Sequence, residues 1–467
     1  MMWVLSEAAE RAGGHLSGGD AAFDRVVTDS RGDCTGALFV ALRGERFDAH
    51  AFVPQALANG AVAALVERPL DLDLPQWVVD DTRLGLGRLA AAWRRRIPPR
   101  VLAITGSNGK TTCKEMVAAI LAQVGSVRAT QGNLNNDIGM PLTLLRARDE
   151  AWLVLELGAN HHGEIGYLTE IARPEAALIA NAGRAHLEGF GSVEGVARAK
   201  GEIARGLPAD GTFVVPGDAP WTALWRDLAQ GRRLLTFGLD SACAVHADPA
   251  QVTSDWTETG FVTRFSADLD GTPCELSLAL TGLHNVRNAL AAAALTSAVG
   301  VSPQAIAAGL ASLRPVPGRL EPKRRGDLRL IDDTYNANPD SVHAAIEVLV
   351  ALPGRPVLVL GDLGELGPEA GRLHRELGEA ARASGVAALY AVGELSRETV
   401  AGFGVCGGGA ARHFDDQAAL IAALRNEMTA ADVALVKGSR RAAMDRVVAA
   451  LVAADGPGGL NNRHLGA

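Results

Sequence analysis

The sequence predicts an α/β protein of three domains: a small α/β unit at the front, a central parallel sheet, and a doubly wound sheet at the end. Three observations lead there. The chain has 467 residues, too many for one ordinary hydrophobic core. Short apolar runs alternate with helix-length segments, the pattern of parallel strands joined by helical crossovers. The alternation breaks twice at proline-rich points, Ile97-Pro98-Pro99-Arg100 and Leu313-Arg314-Pro315-Val316-Pro317-Gly318. These breaks divide the chain into 1–98, 99–314 and 315–455. A Gly- and Asn-rich tail over 456–467 is expected to fray.

In the first domain Ala37 to Leu42, Ala61 to Val66 and Trp77-Val78-Val79 are strand candidates. Thr82 to Arg96 reads as a helix whose basic end, Arg94-Arg95-Arg96, suits the helix dipole. The second domain opens on the strand Val101–Ile104, a glycine loop, and a helix from about Lys110. Val117, Ile120, Leu121 and Val124 form one apolar face of that helix. Buried strands follow at Trp152–Leu157 and Ala176–Ala180. A helix is expected from Ser192 to about Arg205, with Glu194, Arg198 and Glu202 as a solvent-facing ladder. In the third domain Leu328–Ile331, Val357–Leu360, Ala388–Val392 and Val433–Val436 are strands of a Rossmann-like sheet. Ligands on such sheets bind beyond the carboxyl ends of strands, which marks Asp332-Asp333, Gly361-Asp362 and Lys437-Gly438-Ser439.

The formal net charge of −8 argues against a protein that coats nucleic acid or an anionic membrane, but not against a small anionic ligand held by local cations. Cys34, Cys113, Cys243, Cys274 and Cys406 are scattered, without metal-ligand spacing, so a disulfide scaffold or zinc module is not expected. No signal peptide is expected, because Met1-Met2-Trp3-Val4-Leu5 gives way to Glu7 and Glu10. No apolar run approaches the roughly 18 residues that span a bilayer. The expectation is a cytoplasmic, monomeric protein acting on small molecules.

Thr105-Gly106-Ser107-Asn108-Gly109-Lys110-Thr111-Thr112 lies between a buried strand and an amphipathic helix, which makes the central sheet one of the P-loop ATPase type. Its glycines let backbone N–H groups close on phosphate oxygens at a helix N-terminus. Lys110 would reach the outer phosphates and the Thr111 hydroxyl would ligate Mg²⁺. Ile104 stands where the general spacing wants glycine, so the loop is a shortened version. A GTPase would need an Asn-Lys-x-Asp element, and the sequence has none. Glu156, at the end of an apolar strand, needs a cation or metal beside it. His186, just past another strand, is a ligand candidate. Lys200 lies on the apolar side of its helix, where desolvation raises its neutral fraction. A neutral amine can take up CO₂ as a carbamate, which turns a cation into a metal-binding anion. The plainer alternative is a lysine that snorkels to solvent.

Together these pieces resemble the ATP-dependent Mur ligases, over nearly the whole chain. The likeness is carried by the Ser-Asn-Gly-Lys-Thr-Thr loop, Gly132-Asn133-Leu134-Asn135-Asn136-Asp137-Ile138-Gly139 and Glu156-Leu157-Gly158-Ala159-Asn160. Ala185 to Gly191, Ala199 to Ile203, Gly282 to Ala289 and Asp333-Thr334-Tyr335-Asn336-Ala337-Asn338-Pro339 extend it. The resemblance implies ATP and two Mg²⁺ ions managed by Thr111, Glu156, His186 and an N6-carboxylated Lys200. It places His284 and Asn288 at adenine, Arg319 at the phosphates and Asp333 at the ribose. It assigns Ser30, Arg31 and Arg46 to a uridine-nucleotide substrate, although Ala49 replaces an expected glycine nearby. Asn135, Asn136, Asn336, Asn338, Lys437, Ser439 and Arg440 are further substrate candidates, with Lys437 or Arg440 holding a terminal carboxylate. The branch of the family it resembles joins D-Ala-D-Ala to UDP-N-acetylmuramoyl-tripeptide through an acyl phosphate. Alternatives are another amide ligase of the superfamily, of the folylpolyglutamate synthetase kind, or a nucleotide-gated binding protein without bond formation.

Overall fold

A computed structural model describes residues 2–44, 47–405 and 410–453. Arg46 and the tail from residue 456 lie outside these residues. Every predicted strand forms, within one or two residues of its expected ends. The front of the chain builds a five-stranded sheet in the order His15–Ser17, Gln76–Val78, Ala63–Val66, Ala37–Val40, Arg25–Val27. All its neighbours are parallel except His15–Ser17. The helix Thr82–Arg94 covers it, started by the Asp81 carboxylate, which accepts from the N–H groups of Arg83 and Leu84.

The central sheet has ten strands. Its parallel part runs Val127–Ala129, Trp152–Glu156, Arg100–Thr105, Ala176–Ile179, Thr212–Pro216, Arg233–Gly238 and Val245–His246. From Arg100–Thr105 the chain first builds outward on one side and then crosses to the other, so the phosphate loop leaves the sheet at its switch point. Helices Lys110–Leu121 and Leu283–Ser297 pack together on one face over Leu102, Ile104 and Leu178. Beyond His246 the sheet turns antiparallel through Thr253–Thr257, Gly260–Leu269 and Pro273–Leu278. This extension was not expected. Its tip reaches the C-terminal sheet: Phe261, 2% exposed, is buried in the same cluster as Leu320, Ile331 and Val342. The Arg324 guanidinium donates to the Thr257 carbonyl at the same junction (3.3 Å).

The C-terminal sheet has the order Glu321–Arg325, Leu328–Asp333, Asp432–Lys437, Arg355–Gly361, Ala388–Val392, Ala410–Phe414. Only Glu321–Arg325 is antiparallel. Leu349 and Leu358 lie in one of its apolar clusters and Val436 and Val447 in the other, so helices cover both faces as a doubly wound sheet requires. Among the described residues no helix is long and apolar enough to cross a membrane. Cys34, Cys113, Cys243 and Cys274 are free thiols.

Two local expectations fail. Val124 is 48% exposed, because the helix ends at Leu121 and carries the next residues off the apolar face. Glu202 is no rung of a solvent ladder. The α-helix stops at Gly201 and continues as a 3-10 turn. Its carboxylate therefore swings inward and accepts from Gly163 N–H and Gly166 N–H at the start of the helix Glu164–Ala172. Glu194 and Arg198 do pair in solvent (2.7 Å).

Candidate active site

The loop after Arg100–Thr105 is shaped by close approach. A Cβ on Gly109 (φ +74°) would stand 2.4 Å from Asn288 Oδ1, so only glycine fits against that helix. Asn181 braces the loop by accepting from Asn108 N–H (2.8 Å) and donating to Asn108 O (2.9 Å). Ser107 Oγ accepts from Gly183 N–H (3.0 Å). Lys110 curls over its own loop and donates to Gly106 O (2.7 Å). Burial holds its pKa below the ordinary lysine value; Glu156 opposes that shift and Arg319 adds to it.

Glu156 ends the strand Trp152–Glu156 and is 2% exposed. It accepts from Thr111 Oγ1 (3.0 Å) and Asn135 Nδ2 (2.9 Å). Thr111 Oγ1 in turn accepts from Arg319 Nη2 (3.0 Å). A carboxylate buried among neutral donors, beside a hydroxyl, is a pair of hard oxygen donors suited to Mg²⁺ completed by waters and phosphate oxygens. His186 holds a left-handed backbone (φ +53°), and its Nδ1 lies 2.7 Å from the Glu365 carboxylate. Lys200 is 1% exposed, and among the described residues its Nζ has no hydrogen-bond partner. The ammonium sits 5.2 Å from the centre of the Phe190 ring. Burial, and then Lys110, lower its pKa to about 7, while Glu164 and Glu202 oppose the shift. Snorkelling is thereby ruled out. As an ammonium Lys200 repels a cation, and as a neutral amine it is a poor donor for Mg²⁺, which prefers oxygen, so the His186–Lys200 pair fits a second Mg²⁺ only when Lys200 carries a carboxylate. Among the described residues no group of three or more His, Cys, Asp and Glu stands ready to hold a metal.

The C-terminal sheet closes the opposite wall. Lys437, 3% exposed, donates to Asp333 Oδ2 (2.6 Å) and Asn336 O (3.0 Å). Its charge is thus engaged by Asp333, although the residue also lines the cleft. Ser439 Oγ donates to Asp362 O (2.6 Å). Asn338 caps the helix Pro339–Ala351 through Ser341 N–H (2.9 Å), and its amide donates to Asn108 Oδ1 (2.7 Å). Asn136 Oδ1 accepts from Gly139 N–H (2.8 Å), the first residue of the helix Gly139–Leu145, whose N-cap is Ile138. Both amides therefore have structural duties that the sequence reading did not foresee. Arg319 and Arg440 flank the Tyr335 ring at 4.2 and 5.9 Å. His284 starts the helix Leu283–Ser297, and burial pushes its pKa down to about 4 against the pull of Asp333, with Lys437 adding to the fall. It is a neutral ring at physiological pH.

These walls enclose a cleft of about 1030 Å³. Apart from Gly106 and Lys200, every candidate from the central and C-terminal sheets lines it. Lys200 lies outside that lining, against the Phe190 ring. The front-sheet candidates stand elsewhere: Ser30 donates to Gln55 Oε1 (2.9 Å), and Arg31 pairs with Asp29 (2.8 Å) in solvent. The sequence reading missed Tyr335, Glu365 and the Arg184–Asp340 pair (2.7 Å), which ties the His186 loop to the C-terminal sheet. Asp340, one residue past Asn338-Pro339, was the available signal for that pair: an acid in a first helical turn opposite an arginine-bearing loop.

The fold and cleft define a P-loop ligase class, in which a nucleotide loop on one sheet faces the strand ends of another. The chain belongs to the Mur ligase family. It matches the models for the Mur ligase family catalytic domain over residues 23–104, the Mur ligase middle domain over 104–296, and the Mur ligase glutamate ligase domain over 318–440. It is 48% identical to the UDP-N-acetylmuramoyl-tripeptide–D-alanyl-D-alanine ligase of Escherichia coli (strain K12), over 96% of this chain and 98% of that protein. It resembles the crystal structure of MurF from Acinetobacter baumannii with a TM-score of 0.89 and 38% identity, covering 96% of this chain and 98% of that one. MurF of Thermotoga maritima in complex with ADP matches with a TM-score of 0.81 and 29% identity, over 92% of this chain and 97% of that one.

Proposed function

We propose that this chain joins the amine of D-Ala-D-Ala to UDP-N-acetylmuramoyl-tripeptide at the expense of ATP, in peptidoglycan precursor synthesis. The observation that carries this reading is the cleft, where a phosphate loop and a buried hydroxyl–carboxylate pair face a second sheet bearing the Arg440 guanidinium. The ADP-bound Thermotoga relative supports the nucleotide reading. Thr111 and Glu156 hold one Mg²⁺, and His186 with carboxylated Lys200 hold a second. The metal supplies neutralisation of negative charge on the phosphates. Lys110 and Arg319 add positive charge where the phosphoryl oxygens gather it. His284, neutral, packs with Asn288 at the adenine, and Asp333, held in place by Lys437, takes the ribose.

The substrate carboxylate attacks the γ-phosphorus of ATP, ADP leaves, and an acyl phosphate forms. The dipeptide amine then attacks the acyl carbon and phosphate departs. Arg440 holds the dipeptide's terminal carboxylate, with Asn336 beside it, and Ser30, Arg31 and Arg46 serve the uridine nucleotide. We assign these tasks to residues 1–98 for the uridine nucleotide, 99–314 for ATP and 315–455 for the dipeptide, in a monomeric, cytoplasmic enzyme. The Arg184–Asp340 pair draws the last two together over the reacting groups, which excludes water from the acyl phosphate.

The test is ADP release and product mass across a panel of muramoyl-peptide acceptors and amino donors, with ¹⁸O in the acceptor carboxylate. One ¹⁸O should pass into released phosphate, with the tripeptide and D-Ala-D-Ala as the productive pair. ADP release driven by a folate and glutamate, or binding without product, overturns the reading.

A further inference from the structure

The loop that carries His186 is gripped by the C-terminal sheet at two points, and only one of them touches a proposed functional group. Arg184 pairs with Asp340. His186 Nδ1 meets Glu365 Oε2 at 2.7 Å, a contact between a loop of the central sheet and one of the C-terminal sheet. Both partners adopt left-handed backbones, His186 at φ +53° and Glu365 at φ +61°. Such conformations are disfavoured for residues with a Cβ, and they persist where the surroundings over-determine them.

The surroundings do so here. On either side of Glu365, Leu363 and Leu366 are buried in the C-terminal core. Leu363 N–H donates to His374 Nε2 (3.1 Å), which pins the loop to the helix behind it. With two leucines pointing in, the left-handed turn thrusts the Glu365 side chain outward across the cleft. On the other side, the His186 ring lies edge-on to Phe190 (centres 6.5 Å apart), and the same Phe190 ring lies against Lys200 Nζ. Glu365, His186, Phe190 and Lys200 thus form one connected line from the C-terminal sheet to the proposed second metal position.

We propose that Glu365 is a positioning residue for His186. By accepting a hydrogen bond from Nδ1–H it selects the tautomer that leaves the Nε2 lone pair free, and it aims that nitrogen into the cleft. A carboxylate behind a ligating imidazole is a general way to set ring orientation and basicity. Because the carboxylate belongs to the C-terminal sheet, the cation position at His186 is complete only when that sheet is docked. The inference rests on the proposed role of His186 and deepens it.

The experiment uses the full chain with Glu365→Ala and Glu365→Gln. In metal-free protein labelled with ¹⁵N-histidine, the parent should show His186 protonated at Nδ1, and Glu365→Ala should shift the population toward the Nε2–H form. Mn²⁺ binding followed by electron paramagnetic resonance should weaken about 10- to 100-fold at one of two sites in Glu365→Ala. Glu365→Gln, whose amide oxygen still accepts from Nδ1–H, should restore both to near the parent. In turnover, Glu365→Ala should lower kcat and leave the KM for D-Ala-D-Ala unchanged. An unchanged tautomer and unchanged Mn²⁺ affinity in Glu365→Ala, with a parent that ligates normally, overturn the inference. A parent that binds two Mn²⁺ with the expected tautomer but makes no product overturns the ligase reading and leaves the positioning role standing.

Discussion

Among the buried lysines, Lys437 and Lys200 have opposite surroundings. Lys437, at the end of a C-terminal strand, has the Asp333 carboxylate at 2.6 Å and a backbone carbonyl at 3.0 Å. Lys200 has no hydrogen-bond partner at Nζ among the described residues and a phenyl ring for a neighbour. A buried cation with a partner is a structural element, whereas one without a partner is disfavoured as a cation and is pushed toward a reactive neutral amine. The contrast shows why burial alone does not mark a functional lysine. What marks it is burial without compensation.

The largest expected effect concerns a third lysine, on which the chemical reading of that contrast depends. Lys110→Ala should abolish ligation, by at least about a thousandfold on the scale of lost transition-state charge stabilisation. The circular dichroism spectrum should not change. Near-normal turnover would remove the phosphate assignment, and with it any reason to read Lys200 chemically. Next, Lys200→Ala should lose most activity, and a short carboxylic acid or bicarbonate should restore part of it. Full activity without additive would return Lys200 to the structural class.

Stability should then separate the two residues. Lys437→Met leaves Asp333 without its cation and should cost about 3 kcal/mol, read from the urea midpoint. Lys200→Met removes an unpartnered amine and should leave the midpoint unchanged or raise it. Equal losses in the two variants would break the comparison. The smallest effect is a pH dependence. The folded pKa of Lys200 is about 7 against 10.5 for an unperturbed lysine. Below pH 7 both states hold the proton and the burial penalty is complete. Between pH 7 and 10.5 the unfolded chain binds more protons than the folded one, so the Lys200 contribution to stability improves as pH rises. The stability of Lys200→Met relative to the parent should therefore fall from pH 7 to pH 10, read from urea midpoints across that range.

Much of this was legible in the chain because parallel strands buried on both faces read as unbroken apolar runs. Val101–Ile104 and Val433–Val436 are examples, and both end at functional residues. Helical spacing puts Lys200 on the apolar side of its helix, but spacing alone favours a lysine that snorkels to solvent, and only the fold shows its amine buried. The antiparallel extension was overlooked, although Phe261, Thr263, Phe265, Ala267 and Leu269 alternate inward along Gly260–Leu269. Period two is a weaker signal when threonine and alanine occupy inward positions. Asn136 and Asn338 line the cleft and also bond to backbone at helix starts, a second duty that a short polar side chain near a glycine or proline does not announce. Glu365 left no local trace, since an exposed glutamate in a glycine-flanked loop looks like many others. Its partner is 179 residues away in sequence, and only the meeting of two sheets reveals it.

The antiparallel arm has a consequence for motion. Since Phe261 is sunk in the apolar interior of the last sheet, the neighbouring sheets share a peg and socket remote from the cleft. Any parting of the two sheets must either turn about that peg or draw Phe261 out into water. A fragment lacking residues 253–278 would expose the empty socket to water, and for that reason the last sheet is poorly suited to an independent life.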